Sequence, residues 1–83
     1  MKILYFAWVR EKIGRAEEVR ELPETVRTVA ELIAWLKLQG PEYENAFAQA
    51  KVIRAAIDRA HVRHDAALAG AKEVAFFPPV TGG

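Results

Sequence analysis

The sequence predicts an α+β domain, with one main helix packed on a mixed sheet of four to five strands and short extra helices beside it. Three observations predict this. Thr28 to Leu36 carries a helix start signal followed by an apolar stripe at helical spacing. The chain opens and closes on short apolar, aromatic runs of strand length. A third run, Val52 to Ile57, is rich in β-branched residues. One helix laid on one sheet is the layer solution for that order.

Taken in order, Lys2 to Trp8 is continuous apolar sequence and predicts a strand with both faces covered. Val9 to Gly14 predicts one helical turn stopped by the glycine. Glu17 to Leu22 sets Val19 among polar neighbours and predicts an edge strand, which Pro23-Glu24 turns away. Thr28 and Glu31 form a capping box, in which hydroxyl and carboxylate each satisfy an orphan backbone N–H. Behind it, Val29, Leu32, Ile33 and Leu36 define the core-facing stripe, and Gly40-Pro41 ends the helix. Trp35 and Leu38 lie off the stripe and are expected to meet Tyr43 and Phe47 from a second short helix over Glu42 to Gln49. After the strand at Val52 to Ile57, Asp58-Arg59 predicts a turn into a short strand at His61 to Arg63. Leu68-Ala69-Gly70 reads as a loop, and Glu73 to Phe77 as the last strand.

The composition bounds the function. Eighty-three residues make one domain, and a chain of this size buries only about 60% of its unfolded surface, so a partner matters to it. The net charge of +1 gives no electrostatic footprint for nucleic acid. There is no cysteine, so thiol chemistry from the chain's own side chains is excluded and any sulfur must be carried on another group. No run reaches the length of a membrane span. The apolar start is too short for a signal peptide and has no small-residue cleavage site, so a cytoplasmic protein without membrane contact is expected.

His61 and His64 are too few for a zinc site, which needs three or four converging ligands, so no metal is expected. Arg54, Arg59, His61 and Arg63 form a basic cluster that reads either as a solvated hairpin or as an anion site. Tyr5, Phe6, Trp8, Phe76 and Phe77 interleave on what should be neighbouring strands. Alternation sends some of these rings to each face of the sheet, and a single helix covers only one. The other face is then expected to be a partner surface.

The chain ends Phe76-Phe77-Pro78-Pro79-Val80-Thr81-Gly82-Gly83. A carboxylate on two glycines is unhindered, because no Cβ blocks access to the terminal carbonyl. Termini are where disorder concentrates. The hydrophobic residues running up to this tail and the two prolines at its base point past a merely frayed end. From Phe77 to Gly83 the tail reaches about 20 Å at roughly 3.3 Å per residue. The Pro78-Pro79 pair favours an extended conformation that lowers the entropy lost on insertion.

Strands in this order with a Gly-Gly end resemble the ubiquitin-like β-grasp proteins. The segment Glu-Val-Ala-Phe-Phe-Pro-Pro-Val-Thr-Gly-Gly at 73–83 resembles one branch of them, the small sulfur-carrying subunits of molybdopterin synthase. Phe6-Ala7, Val9-Arg10-Glu11, Ile13-Gly14 and the helix start Thr28-Val29-Ala30-Glu31-Leu32 are similar to that family too. Ala71-Lys72 departs from the Gly-Asp that the family usually has before Glu-Val.

The resemblance implies a β-grasp domain over 1–77 and a flexible Gly-Gly tail over 78–83. It implies that an E1-like enzyme adenylates the Gly83 carboxylate with ATP, and that a sulfur donor displaces AMP to leave a C-terminal thiocarboxylate. The tail then enters the large subunit of molybdopterin synthase, in a heterotetramer, and gives its sulfur to cyclic pyranopterin monophosphate to build the dithiolene. Phe76, Phe77, Pro78, Pro79, Val80, Thr81 and Gly82 would contact partners. No permanent cofactor is implied, and the chain is a co-substrate rather than a catalyst by itself. A sulfur carrier for thiamine or tRNA thiolation shares the tail chemistry, although the Phe-Phe-Pro-Pro segment argues against it. A ubiquitin-like modifier or passive binding module is the remaining alternative.

Overall fold

A computed structural model describes residues 1–79. The elements run β1 (Lys2–Tyr5), α1 (Ala7–Ile13), β2 (Glu17–Val19), α2 (Val29–Lys37), α3 (Pro41–Ala46), a 3-10 turn (Ala50–Val52), β3 (Arg54–Ile57), β4 (Ala60–Val62) and β5 (Glu73–Phe77). The strands form one mixed sheet in the order β2-β1-β5-β3-β4. Strands β1 and β5 pair in parallel at its centre, and the other pairs are antiparallel. The sheet is open, with β2 and β4 at its edges.

The alternation of side chains decides which face is core. Ile3 and Tyr5 of β1, Val74 and Phe76 of β5 and Ala55 of β3 point to one side and are buried. Val9 and Ile13 of α1, the predicted stripe Val29, Leu32, Ile33 and Leu36 of α2, and Tyr43 and Ala46 of α3 close over them. Phe47 and Phe76 meet edge to face at 5.2 Å between ring centres, and Tyr5 stacks on Phe76 at 6.4 Å. The capping box forms as expected: the Glu31 amide donates to Thr28 Oγ1 at 3.2 Å, and the Thr28 amide donates to Glu31 Oε1 at 3.0 Å.

Several boundaries differ from the sequence expectation. The opening strand stops at Tyr5, because the chain turns at Ala7 (φ 53°) and Val9 and Ile13 then enter the core one helical turn apart. Helical spacing overrides the β propensity of the aromatic run, and Trp8 lies on α1 rather than on the sheet. Its ring sits under the Lys12 ammonium at 5.0 Å. Gly14 ends α1 at φ 88°, with its amide bonded to the Arg10 carbonyl. Strand β2 is shorter than 17–22, and α3 ends at Ala46 rather than reaching Gln49. Residues Ala50–Val52 form a 3-10 turn instead of starting the strand. Asp58 and Arg59 take positive φ of 47° and 72°, the paired left-handed conformation of a two-residue hairpin turn. Leu38 does not join Tyr43 and Phe47, being 82% exposed, whereas Trp35 does pack against the core.

Candidate functional site

The face of the sheet away from the helices carries a row of side chains in register: Glu17, Leu4, Ala75, Ala56 and His61, one from each strand. Three of these are small or aliphatic, so the middle of the face is shallow. Phe6 and Phe77, which follow the paired Tyr5 and Phe76 on the parallel strands β1 and β5, stand above it side by side at one end. The result is a hollow of about 590 Å³ with an apolar middle of Leu4, Phe6, Ala56, Ala75 and Phe77 and a polar border that includes His61, Lys2, Arg10, Glu17, Arg59 and Glu73. Phe6 is 45% exposed and Phe77 half-buried, its ring 5.1 Å from that of His61. The expected surplus of aromatics on the uncovered face is therefore two rings, since Tyr5 and Phe76 go inward and Trp8 goes to α1.

Charged pairs line the rim. Lys2 Nζ lies 3.5 Å from Glu17, and Arg59 Nε lies 4.0 Å from Glu73. All but Glu73 are well exposed, so these pairs contribute little to stability and leave the rim open to rearrangement. Strand β5 enters this face from a firmly held turn. The amides of Lys72 and Glu73 both donate to Asp58 Oδ1 at 2.9 Å, and Gly70 supplies the positive φ of 79°. Ala71-Lys72 thus leaves the register of β5 intact.

Under the opposite face, Glu18 is a hub that sequence reasoning missed. Its side chain is 8% exposed and accepts from Tyr5 Oη at 2.7 Å and from Tyr43 Oη at 2.6 Å. Arg15 donates at 3.2 Å, and Arg20 Nε lies 3.0 Å away as an ionic contact without well-aligned hydrogen-bond geometry. Burial by itself would raise the Glu18 carboxyl. The two tyrosine hydrogen bonds and the arginine charges outweigh it and hold the group below the usual carboxylate range. Burial and the bond to Glu18 push the Tyr5 and Tyr43 hydroxyls up. The Arg20 guanidinium also lies over the rings of Trp35 and Tyr43. This network fastens the edge strand β2 to β1, α2 and α3. A lone Glu in an exposed-looking strand gave no signal of it, beyond the two tyrosines needing partners when buried.

Of the residues expected to meet partners, Phe77, Pro78 and Pro79 lie together at the end of β5, each half-buried. Phe76 is a correction: it is fully buried against Tyr5 and Phe47 and offers no surface. Val80, Thr81, Gly82 and Gly83 lie outside the described residues. The two histidines go separate ways, His61 to Phe77 and His64 Nε2 to the Ile53 carbonyl at 2.8 Å. Among the described residues no helix is long and apolar enough to cross a membrane.

The sequence matches the ThiS family over residues 3–83. It is 37% identical over 83 residues to the molybdopterin synthase sulfur carrier subunit of Escherichia coli (strain K12), across 100% of this chain and 99% of that one. The subunit of the same name from Mycosarcoma maydis is 35% identical over 89 residues, across 100% and 92%. Among solved structures, the putative molybdopterin converting factor subunit 1 of Pyrococcus furiosus superposes with a TM-score of 0.74 at 31% identity, over 95% of each chain. SAMP1 of Haloferax volcanii superposes at 0.72 over 100% and 98%, and at 24% identity that likeness speaks for the ubiquitin-like β-grasp fold alone. Because the likeness runs unbroken through β1, the helices and the last strand with its tail, this chain belongs to the ThiS family.

Proposed function

We propose that the protein is the sulfur-carrier subunit of a molybdopterin synthase. The observation that carries this reading is the likeness over the whole chain to proteins of that name, with the family match extending through residue 83. In this reading residues 1–77 are the folded domain and 78–83 the tail that partners handle. The open sheet face lies beside the point where the tail departs, which suits a partner that grips the domain and receives the tail together.

The chemistry follows from the end group. A free carboxylate is a poor electrophile. An E1-like enzyme joins the Gly83 carboxylate to AMP, releasing pyrophosphate, and so supplies a leaving group. A donor at the oxidation level of hydrosulfide attacks the acyl carbon; the C–S bond forms and the C–O bond to AMP breaks. In the large subunit the thiocarboxylate sulfur forms a C–S bond to cyclic pyranopterin monophosphate; water then cleaves the acyl C–S bond, leaving the sulfur on the pterin and returning Gly83 to a carboxylate. Beyond the terminal carboxylate and the thiocarboxylate it becomes, no side chain of this chain need act as acid, base or nucleophile, in keeping with a cysteine-free sequence. Such chemistry belongs to the cytoplasm, where ATP and both partners are at hand.

The test is the intact mass after incubation with ATP, hydrosulfide and the E1-like enzyme. One oxygen should be replaced by sulfur, and not in a variant lacking Gly83. No replacement in the full chain would end the sulfur-carrier reading. Covalent conjugates to lysines of other proteins would favour a modifier instead.

A further inference from the structure

A second hollow, of about 500 Å³, adjoins the first around Phe77. Phe77 and Pro79 give it an apolar patch and Arg54, His61 and Arg63 its polar side, while Ala55 and Val62, which pair on the core-facing side of the sheet, complete the lining. Arg54 stands opposite Phe77 in the β3–β5 register, on the uncovered face. Among the described residues neither Arg54 nor Arg63 has an ion pair, and both are exposed. The acids of this hairpin are set apart from them. Asp58 sits in the turn at the far end, bonded to the Lys72 and Glu73 amides. Asp65 is exposed and pairs with neither arginine.

Charged residues on an edge strand often serve only to discourage sheet-to-sheet pairing. That accounts for Arg59 and Arg63, which flank β4. It does not account for Arg54, which lies on the inner strand β3 and faces the hollow beside the tail base. Nor does the pair suit a free anion well, because two exposed guanidinium groups in water hold a small ion weakly. The same groups beside an apolar patch become selective once a protein surface covers Phe77 and excludes water.

We propose that Arg54 and Arg63 form an acid-recognising rim at the base of the tail, receiving carboxylates of the protein partner that takes the tail. The hollow is continuous with the open face through Phe77 and His61, so one partner surface spans both. This rests on the reading of the chain as a tail-donating subunit. The rim steers the partner so that an acidic patch lies over the β3–β4 side while an apolar patch meets Phe77.

The experiment measures association with the large molybdopterin synthase subunit of the same organism by stopped flow, across a series of salt concentrations. Arg54→Glu/Arg63→Glu should slow association at low salt about tenfold or more and flatten its salt dependence, because steering acts chiefly on the on-rate. A control of equal charge change on the helical side, Lys12→Glu/Lys37→Glu, should leave it within about twofold. Melting curves should show both variants cooperatively folded, with a small loss in the control, which gives up the Lys12–Trp8 contact and the last-turn charges of α1 and α2 but no core contact. Wild-type binding with an unaltered Arg54/Arg63 variant overturns this inference and leaves the sulfur-carrier reading standing. Absence of any wild-type binding overturns both. Equal slowing in the control assigns the effect to net charge, and overturns the rim. Self-association of the chain that the variant abolishes would give the hollow to a second copy, and tight binding of inorganic phosphate there would give it to a free anion; either result overturns the proposal.

Discussion

Phe76 and Phe77 are consecutive in β5 and lie on opposite sides of the sheet: Phe76 is sealed between Tyr5 and Phe47, while Phe77 stands on the open face against His61. The strand thus carries the keystone of the core and the foremost surface ring in adjacent positions. Truncating them should separate stability from recognition. Phe76→Ala should cost about 3–5 kcal/mol in chemical denaturation, the usual loss for a buried Phe. Phe77→Ala should leave the denaturation midpoint near wild type and weaken binding to the large subunit by about 2 kcal/mol or more if it is a hot spot. Equal stability losses with unchanged affinity would contradict the division of roles.

The Glu18 hub predicts how stability responds to pH. Its carboxyl is held below the unfolded value in the native state, so its contribution is present above the unfolded pKa and is lost as pH falls through the folded one. Wild-type urea midpoints should therefore drop on acidification below about pH 4.5, the region where unfolded glutamates take up protons. Glu18→Gln should lower stability at pH 7 by about 1–3 kcal/mol, since it weakens hydrogen bonds to a charged acceptor. It should also flatten the acid limb. Tyr5 has the opposite sign: its raised hydroxyl contributes stability that is present below about pH 10 and lost above it, where unfolded tyrosines ionise. Tyr5→Phe should remove part of that alkaline loss. A pH profile unchanged by either substitution would show that the hub does not couple to folding.

The legible parts of the fold were those fixed by local physics. The α2 stripe, its capping box, the Asp58-Arg59 turn and the alternation in β5 each depend on residues within a few positions of one another. What the sequence hid depended on distant contacts. The run from Lys2 to Trp8 reads as strand throughout, and only the burial of Val9 and Ile13 beside α3 makes its second half a helix. Glu18 reads as solvent-facing until Tyr43, twenty-five residues on, is brought to its carboxylate. The open face was foreseen from the count of aromatics against one helix, but the rings that form it were not, because the phase of alternation on β1 and β5 is set by their pairing.

The cap at Thr28 should be separable from the core it introduces. Its hydroxyl holds the Glu31 amide and its own amide is held by the Glu31 carboxylate, both near the surface. Thr28→Ala should cost about 1 kcal/mol of stability, and Thr28→Ser should recover most of it. Thermal melts of the three proteins check this, and the partner affinity of all three should be equal because α2 lies on the far side of the sheet from the open face.

Gly82 tests whether the tail is handled by an enclosing site. It lies beyond β5, so no core contact of that strand depends on it. A Cβ there would widen the chain where a partner must exclude water from an acyl-adenylate or thiocarboxylate. It would also remove the positive-φ conformations open to glycine. Gly82→Ala should leave the melting temperature unchanged and slow single-turnover sulfur transfer in the reconstituted synthase. Gly82→Val, which is bulkier and β-branched, should slow it further, by about a hundredfold if the walls of the channel hold the acyl group to within an ångström. Affinity for the large subunit should fall far less than the rate, because the open face and Phe77 still dock. Wild-type transfer rates in both variants would mean that nothing encloses the last two residues.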